Sequence, residues 1–351
     1  MRPTPKQTEM DRAFRSRDGS YDGIFCVAVR TTGVFCRPSC PARKPLPGNV
    51  EFFPTAKEAL FAGYRPCKRC EPLKAGGELP AWVSALLERI DQDPSVRIKD
   101  ADLRALGVEP AKVRRFFLSR FGMTFHAYCR ARRLGKAFDE IRNGERLDNV
   151  ILGHGYESHS GFREAFFKRF GKPPGKTRTE DYIRVAWVET PLGPMVAGAT
   201  ATGICLLEFT DRRMLEAQLD TLSRRFELSI SPGENELLER LRGELRLYFA
   251  GRSKRFSLPL DFPGTEFQVK VWKALLGIPY GETRSYEDIA RKLGSPGAVR
   301  AVGHANGQNR IGIVIPCHRV VNKNGDLGGY GGGLWRKKRL LELEQGKASS
   351  D

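Results

Sequence analysis

Two close-set cysteine pairs, Cys36-Arg-Pro-Ser-Cys40 and Cys67-Lys-Arg-Cys70, are separated by 26 residues in the first fifth of the chain. Pairs at this spacing, on a short basic segment stiffened by Pro38, Pro41 and Pro66, can converge on one tetrahedral cation. Four thiolates suit a single Zn2+ ion. The opening MRPTPKQTEMDRAF carries charge without an apolar core behind it, so no secretory leader is expected and the chain is expected in the cytosol, around the nucleoid. Disulfides are disfavoured there. The eight cysteines, Cys26, Cys36, Cys40, Cys67, Cys70, Cys129, Cys205 and Cys317, are therefore read as metal ligands, nucleophiles or core. No run reaches the ~18–20 apolar residues of a membrane helix, so no membrane partner is expected. A purely structural zinc site remains open at this stage. So does a chemical one, because zinc keeps thiols deprotonated and a thiolate is a nucleophile. Alkylating one ligand would make the site one unit less negative and weaken its repulsion from phosphates, an electrostatic switch.

The 351 residues suggest two or three domains. The net charge is +18, and every third of the chain holds a basic excess. A polyanion contacted along the whole molecule fits this best, and nucleic acid is the default partner. Composition changes twice. PLKAGGELP (72–80) reads as a linker, and GKPPGKTRTED (171–181) as a second break. Helical periodicity fills the zone between them. Beyond the second break, 182–209 alternate as strands do before helices and glycine-rich loops take over.

The middle zone repeats itself. Phe117-Leu-Ser-Arg-Phe121-Gly122 recurs as Phe166-Phe-Lys-Arg-Phe170-Gly171, offset by 49 residues, with Gly107 or Gly155 upstream. Two similar helix-turn-helix modules are expected. In the first, Gly107 supplies the turn and Pro110 opens the second helix. Phe116, Phe117 and Phe121 line its buried side, leaving Lys112, Arg114 and Arg115 outside. In the second, Ser158 caps the helix that carries His159, Ser160 and Arg163 near its start. Recognition helices meet base edges with such N-terminal residues and phosphates with basic ones. A plain helical bundle is the alternative on pattern alone.

The last zone contains Ile315-Pro-Cys317-His318-Arg-Val-Val321, a possible nucleophile beside its base. An apolar, strand-like run from Ile311 to Ile315 leads into it, and a turn from Asn322 to Gly325 follows. Glycines between 328 and 333 allow a loop to approach a ligand closely.

Three resemblances cover nearly the whole chain. CVAVRTTGVFCRPSC (26–40) with GYRPCKRC (63–70) resembles the N-terminal domain of the Ada adaptive-response family. YESHSGFREAFFKRFGKPPG (156–175) resembles the second helix-turn-helix of AraC-type regulators, and the first unit matches less closely. Residues 183–346, with IPYGETRSYEDIARKLGSPGAVRAVGHANGQN and GGYGGGLWRKKRLLELE around the Cys-His pair, resemble the O6-alkylguanine-DNA alkyltransferases.

The resemblance implies a multidomain α+β chain. It has a zinc-binding α/β domain (1–75), an all-α double helix-turn-helix domain (80–180), a ribonuclease-H-like subdomain (183–265) and a winged-helix-like catalytic subdomain (266–346). The 183–265 part is expected as a short antiparallel sheet with helices. The resemblance implies that Cys317 accepts alkyl groups from O6-alkylguanine, and from O4-alkylthymine, once and irreversibly. His318 relays its proton through a water and Glu344 closes the relay. Asn309 is the hinge, Arg300 fills the base stack, Tyr286 presses on the target phosphate, and Tyr330 bonds the leaving guanine at N3. Flipping the base out and entering the minor groove go with this chemistry.

Cys36 is implied as acceptor from methylphosphotriesters, with Cys40, Cys67 and Cys70 as the other zinc ligands. Self-methylation then makes the chain a transcriptional activator, with double-stranded DNA (alkylated sites and promoters) and RNA polymerase as partners of a monomer. A repair-only alkyltransferase and a zinc- or redox-sensing DNA-binding regulator are the alternatives. Cys26, Cys129 and Cys205 are read as core, although Cys26 lies close enough to the cluster to compete for zinc.

Overall fold

The computed structural model describes residues 5–70, 72, 80–93, 95–121, 123–176, 181–212 and 214–347. The linker expected at 72–80 falls almost entirely outside them, as do residues 177–180 of the second break and the side chain of Phe121. The architecture is mixed and multidomain, as expected.

The front domain begins with α1 (Gln7–Ser16), whose Met10, Ala13 and Phe14 face inward. Strands β1 (Cys26–Val29), β2 (Val34–Cys36), β3 (Val50–Phe53) and β4 (Arg65–Pro66) form a sheet in the order β3-β1-β2-β4. Helix α2 (Ala56–Phe61) is capped by the Thr55 side chain and packs against this sheet.

Two helical modules follow: α3 (Ala81–Gln92), α4 (Asp100–Ala105) and α5 (Pro110–Phe121), then α6 (Phe125–Arg142), α7 (Leu147–Gly153) and α8 (His159–Phe170). The repeat is real in three dimensions. Gly107 and Gly155 both take left-handed backbone, φ +72° and +66°, at equivalent turns. Ser158 caps α8 by accepting from the Gly161 N–H. The 18-residue α6 belongs to both modules. Phe125, Tyr128 and Cys129 complete the first core, whereas Leu134, Ala137, Phe138 and Ile141 complete the second.

The next unit is a sheet of β5 (Ile183–Val188), β6 (Met195–Ala199), β7 (Ile204–Phe209) and β8 (Ile230–Pro232), with α9 (Leu215–Phe226) and α10 (Glu236–Phe249). Its order is β7-β6-β5-β8. The expected antiparallel sheet holds for β5, β6 and β7 and is corrected at its edge: β8 runs parallel to β5, because α9 carries the chain back across the sheet before β8 joins it.

The last unit holds α11 (Glu266–Leu276), α12 (Tyr286–Lys292), α13 (Val299–Gly307) and α14 (Leu334–Glu344), with a short parallel pair, β9 (Arg284–Ser285) and β10 (Val320–Val321). One large core, from Val188 and Phe209 to Trp272, Ile315 and Leu340, runs through both C-terminal units.

The units are tied together. Tyr182 enters the second helical core, its ring 4.9 Å from Phe138 and 5.3 Å from Phe170. Beside it, Arg184 pairs with Asp139 and, at 2.7 Å, with Asp181. At the other end, Trp335 of α14 is buried in the front domain's core with Met10, Phe14, Tyr21 and Phe25.

Tyr182→Ala removes a ring from this cage and is expected to cost about 3 kcal/mol, measured as an earlier midpoint in urea unfolding followed by circular dichroism. Tyr182→Phe loses only the 3.3 Å bond to Asp139 and is expected to cost about 1 kcal/mol.

Candidate functional sites: a buried Cys-His-Glu centre and a four-cysteine cluster

The cysteine cluster is built by β2 and β4. Their parallel pairing sets Val34 against Arg65 and Phe35 against Pro66, so the segments leaving both strands turn side by side. Cys67 N–H donates to Phe35 O at 2.9 Å, and Cys40 N–H to Arg37 O at 3.1 Å. The sulfurs of Cys36, Cys40, Cys67 and Cys70 all lie within 4.8 Å of one another, and all four thiols are free. A tetrahedral Zn2+ with 2.3 Å bonds needs sulfurs about 3.8 Å apart, so the donor set fits one zinc ion.

The Arg37 N–H donates to Cys70 Sγ at 3.3 Å. The hydrogen bond from Cys36, with that of Arg37, holds the Cys70 thiol down at about 5. Cys36 is pushed up, first by that same hydrogen bond and then by burial. Cys36 and Cys40 are buried and Cys67 and Cys70 half-buried, so accessibility does not single out Cys36. Cys26 is buried and stands outside the four-sulfur group, and Cys129 and Cys205 lie in core clusters.

The second centre is sealed. Cys317 and His318 lie in a short 3-10 turn between the 309–316 loop and β10. The loop corrects one expectation: Ile311 to Ile315 form no strand. Ile311 makes one isolated bridge to Leu207, and Ile313 takes φ +70°, a strained value for a β-branched residue. Both are fully buried, so the run is apolar because protein surrounds it, not because it alternates.

Asn309 folds this loop with its side chain. Nδ2 donates to Ile315 O at 2.8 Å and to Cys317 Sγ at 3.1 Å, while Oδ1 accepts from Ile311 N–H at 3.0 Å. Burial pushes the Cys317 thiol up, and the Asn309 bond only partly opposes it. The resting sulfur is therefore a thiol.

His318 is fully buried, and burial lowers its pKa despite its carboxylate partner, so the ring is neutral near pH 7. Its Nε2 meets Glu344 Oε1 at 2.8 Å. An ionised carboxylate only accepts, so Nε2 carries the hydrogen and Nδ1 keeps its lone pair. That Nδ1 is buried without a hydrogen-bond partner, the state a general base requires. Burial alone would raise Glu344, but the bonds from His318 and Arg319 outweigh it and hold the carboxyl at about 2.

Five residues of this centre carry no signal that sequence reasoning used. Arg319 grips Glu344 through Nε at 2.8 Å and Nη2 at 2.9 Å, and Tyr248 Oη donates to it at 2.7 Å. Lys337 donates to Val320 O at 2.5 Å and Gly328 O at 3.1 Å; burial pulls it down to about 8. Glu208, fully buried and pushed up to about 7 by burial, pairs with Arg212. Arg212 in turn donates to Asn309 O at 3.2 Å and Gly307 O at 2.5 Å, at the end of α13. Spacing from Cys317 could have found Lys337 and Arg319; nothing marks Glu208, Arg212 or Tyr248.

A cavity of about 730 Å³ opens beside the centre. Tyr286, Asn306, Tyr330 and Gly329–Gly333 line it. Asn306 Nδ2 donates to Cys317 O at 3.4 Å, and Tyr286 Oη to Gly329 O at 3.4 Å. Arg300 is exposed on α13. In the helical modules Lys112, Arg114 and Arg115 on α5, and His159 and Arg163 on α8, are all exposed. Lys112 lies over the Trp82 ring at 5.1 Å, and His159 lies 3.4 Å from Asp148. Among the described residues, no helix is long and apolar enough to cross a membrane.

A tetrathiol metal domain, paired helix-turn-helix modules and a buried Cys-His-Glu centre in one chain define a DNA alkyltransferase fused to a DNA-binding regulator. Known families divide the chain the same way. Residues 9–72 match the metal binding domain of Ada, and 103–180 a helix-turn-helix domain. Residues 183–262 match the ribonuclease-like domain of 6-O-methylguanine DNA methyltransferase, and 266–346 its DNA binding domain.

The chain is 38% identical over 345 residues to the regulatory protein Ada of Salmonella typhimurium, covering 95% of each. It is 35% identical over 334 residues, 94% of each, to the bifunctional transcriptional activator/DNA repair enzyme Ada of Escherichia coli. Over 169 residues, 48% of this chain and 96% of the relative, it is 46% identical to a methylated-DNA–protein-cysteine methyltransferase of Mycobacterium bovis. The chain belongs to the Ada family.

The Glu344 pKa gives a signed expectation. Its folded value, about 2, lies below its ordinary 4.5. The stabilisation is therefore present above pH 4.5 and lost as pH falls toward 2, about 3 kcal/mol in all. Urea unfolding is expected to show wild type well above Glu344→Gln near pH 7, with the gap narrowing through this window.

Proposed function

We propose that this chain repairs alkylated DNA by taking methyl groups irreversibly onto two of its own cysteines, Cys317 and Cys36, and that its methylated form activates transcription of alkylation-response genes. The observation that carries the reading is the buried Cys317-His318-Glu344 arrangement, with His318 Nδ1 free to accept a proton.

At Cys317 the sulfur attacks the alkyl carbon of O6-alkylguanine, and by the same path of O4-alkylthymine. A carbon–sulfur bond forms as the carbon–O6 bond breaks. The thiol proton passes to His318, through one water, and Glu344 stabilises the imidazolium. The electron pair leaves on the guanine, whose N3 Tyr330 bonds. The base has to be flipped out of the stack. Arg300 is exposed on α13 to fill the gap, Tyr286 stands at the cavity wall to press on the target phosphate, and Asn309 fixes the thiol-bearing loop against α13.

Zinc held by Cys36, Cys40, Cys67 and Cys70 would keep these sulfurs as thiolates near neutral pH. Cys36 then attacks the methyl of a methylphosphotriester, forming a thioether and releasing the phosphodiester anion. The thioether has one negative charge fewer, which favours DNA. Lys112, Arg114, Arg115, His159 and Arg163 supply phosphate and base contacts at the promoter. RNA polymerase is the partner at that promoter, and the chain acts as a monomer in the cytosol.

Incubation with duplex DNA labelled separately at guanine O6 and at phosphate, followed by peptide mass spectrometry, tests the assignment. Guanine-derived methyl is expected on Cys317 and phosphate-derived methyl on Cys36, one per site. Guanine-derived label that persists at full level on Cys317→Ala would refute the first. Phosphate-derived label on Cys67 or Cys70 would refute the second.

A further inference from the structure

Helix α14, which carries both Lys337 and Glu344, starts without a cap of its own. Its N-cap residue is Gly333, at φ +91°, and glycine has no side chain to offer the free N–H groups of the first turn. The missing acceptor comes from the front domain. Asp18 Oδ2 accepts from the Leu334 N–H at 3.3 Å, while Asp18 Oδ1 accepts from Ser20 N–H at 3.0 Å and Ser20 Oγ at 2.6 Å.

The fit is close. A Cβ on Gly333 would overlap Ser20 and lie 2.8 Å from Asp18 Oδ1. One residue on, Trp335 is buried among Met10, Phe14, Tyr21 and Phe25. Lys338 Nζ meets Glu9 Oε2 at 3.0 Å on the next turn. Four separate contacts thus hold the start of α14 and the glycine loop before it.

That loop is a wall of the cavity beside Cys317, and Ser16–Ser20 of the front domain line the same cavity. Lys337, two residues after Trp335, pins Gly328 O from inside. We propose that the front domain is a working part of the guanine-repair centre: Asp18, Ser20 and Trp335 are positioning residues that set the glycine loop and Lys337 for reaction at Cys317.

The same turn also touches the metal cluster. Asp22 accepts from Ser39 N–H at 3.1 Å and Ser39 Oγ at 2.5 Å, and Ser39 lies between Cys36 and Cys40. The 18–22 turn therefore contacts the metal knuckle on one side and the lesion cavity on the other.

The inference rests on Cys317 being the acceptor. Its test is single-turnover methyl transfer by the full-length chain from O6-methylguanine duplex, at saturating and limiting DNA, with zinc content and Cys36 methylation read in parallel. Trp335→Ala and Asp18→Ala are expected to lower the saturating rate at Cys317 about ten-fold, roughly 1.4 kcal/mol. Half-saturation, zinc content and Cys36 methylation are expected to stay within about two-fold. Asp18→Asn keeps an acceptor oxygen and is expected to react near the wild-type rate. Glu9→Lys with Lys338→Glu is expected to restore what either single change loses. Unchanged saturating rates, a loss confined to DNA affinity, or failure of Asp18→Asn to restore the rate would overturn the proposal. Absence of methyl on Cys317 in the wild-type chain is a different result, and would overturn the acceptor assignment itself.

Discussion

Glu344 holds a full negative charge inside a sealed core, and four surrounding groups make that possible. Removing a carboxylate from water costs several kcal/mol unless its lone pairs are met. Here His318, Arg319, Tyr248 and the Gly281 N–H all donate to it. These donors come from the reactive turn, from α10 and from the turn after α11, while Glu344 closes α14. One carboxylate thus joins the ribonuclease-like unit to the DNA-binding unit. Backbone approaches so closely that a Cβ on Gly281, at φ +80°, would lie 2.9 Å from Glu344 O. The glycine at this position is required by space as well as by conformation.

Around the sulfur the same burial acts in the opposite sense. It pushes Cys317 up, pulls Lys337 down to about 8 and pushes Glu208 up to about 7. Each group is drawn toward its neutral form, because charge is poorly solvated there. At about 8 the buried Lys337 still keeps its ammonium charge near pH 7, beside the Glu344 cluster and the Glu208–Arg212 pair. Negative charge on sulfur is then stabilised by near neighbours, Asn309 and Lys337, whose effect is large in a medium that screens little. The neutral ring of His318, fixed by Glu344, keeps an unpartnered Nδ1, the geometry the proposed proton transfer needs.

Much of this was legible in the sequence, for identifiable reasons. Metal-ligand spacing survives as text, because Cys36, Cys40, Cys67 and Cys70 sit on two short turns that a parallel strand pair brings together. The helical repeat survives because Gly107 and Gly155 answer the same backbone need. The Ile311–Ile315 run was misread because a loop enclosed by protein is apolar for the same reason that a buried strand is. Arg319 and Arg212 escaped because a buried arginine is spelled like a surface one in a chain with 59 basic residues. The docking of Trp335 escaped because it joins residues more than 300 positions apart, and no local period records such a contact.

On the proposed assignment, the two sulfur centres reach a reactive thiolate by opposite routes. Cys317 stays protonated and enclosed, so small electrophiles in solution meet a thiol rather than a thiolate. Its proton leaves only when a base and an aligned carbon are both in place. In the cysteine cluster a hydrogen bond from Cys36 holds Cys70 down at about 5, while that same bond and burial push Cys36 up and burial pushes Cys40 up. A divalent cation held by the four sulfurs would keep them as thiolates, and a sulfur whose charge is shared with a metal is a weaker nucleophile than a free thiolate. A weak nucleophile discriminates more between electrophiles, which suits a centre whose Cys67 and Cys70 are half-buried rather than enclosed. A strong nucleophile made only on demand suits one that has to wait behind Asn306 and Tyr330 for a flipped base. If each acceptor reacts only once, as proposed, protection from wasteful reaction matters as much as speed, and the burial that raises the Cys317 pKa supplies it.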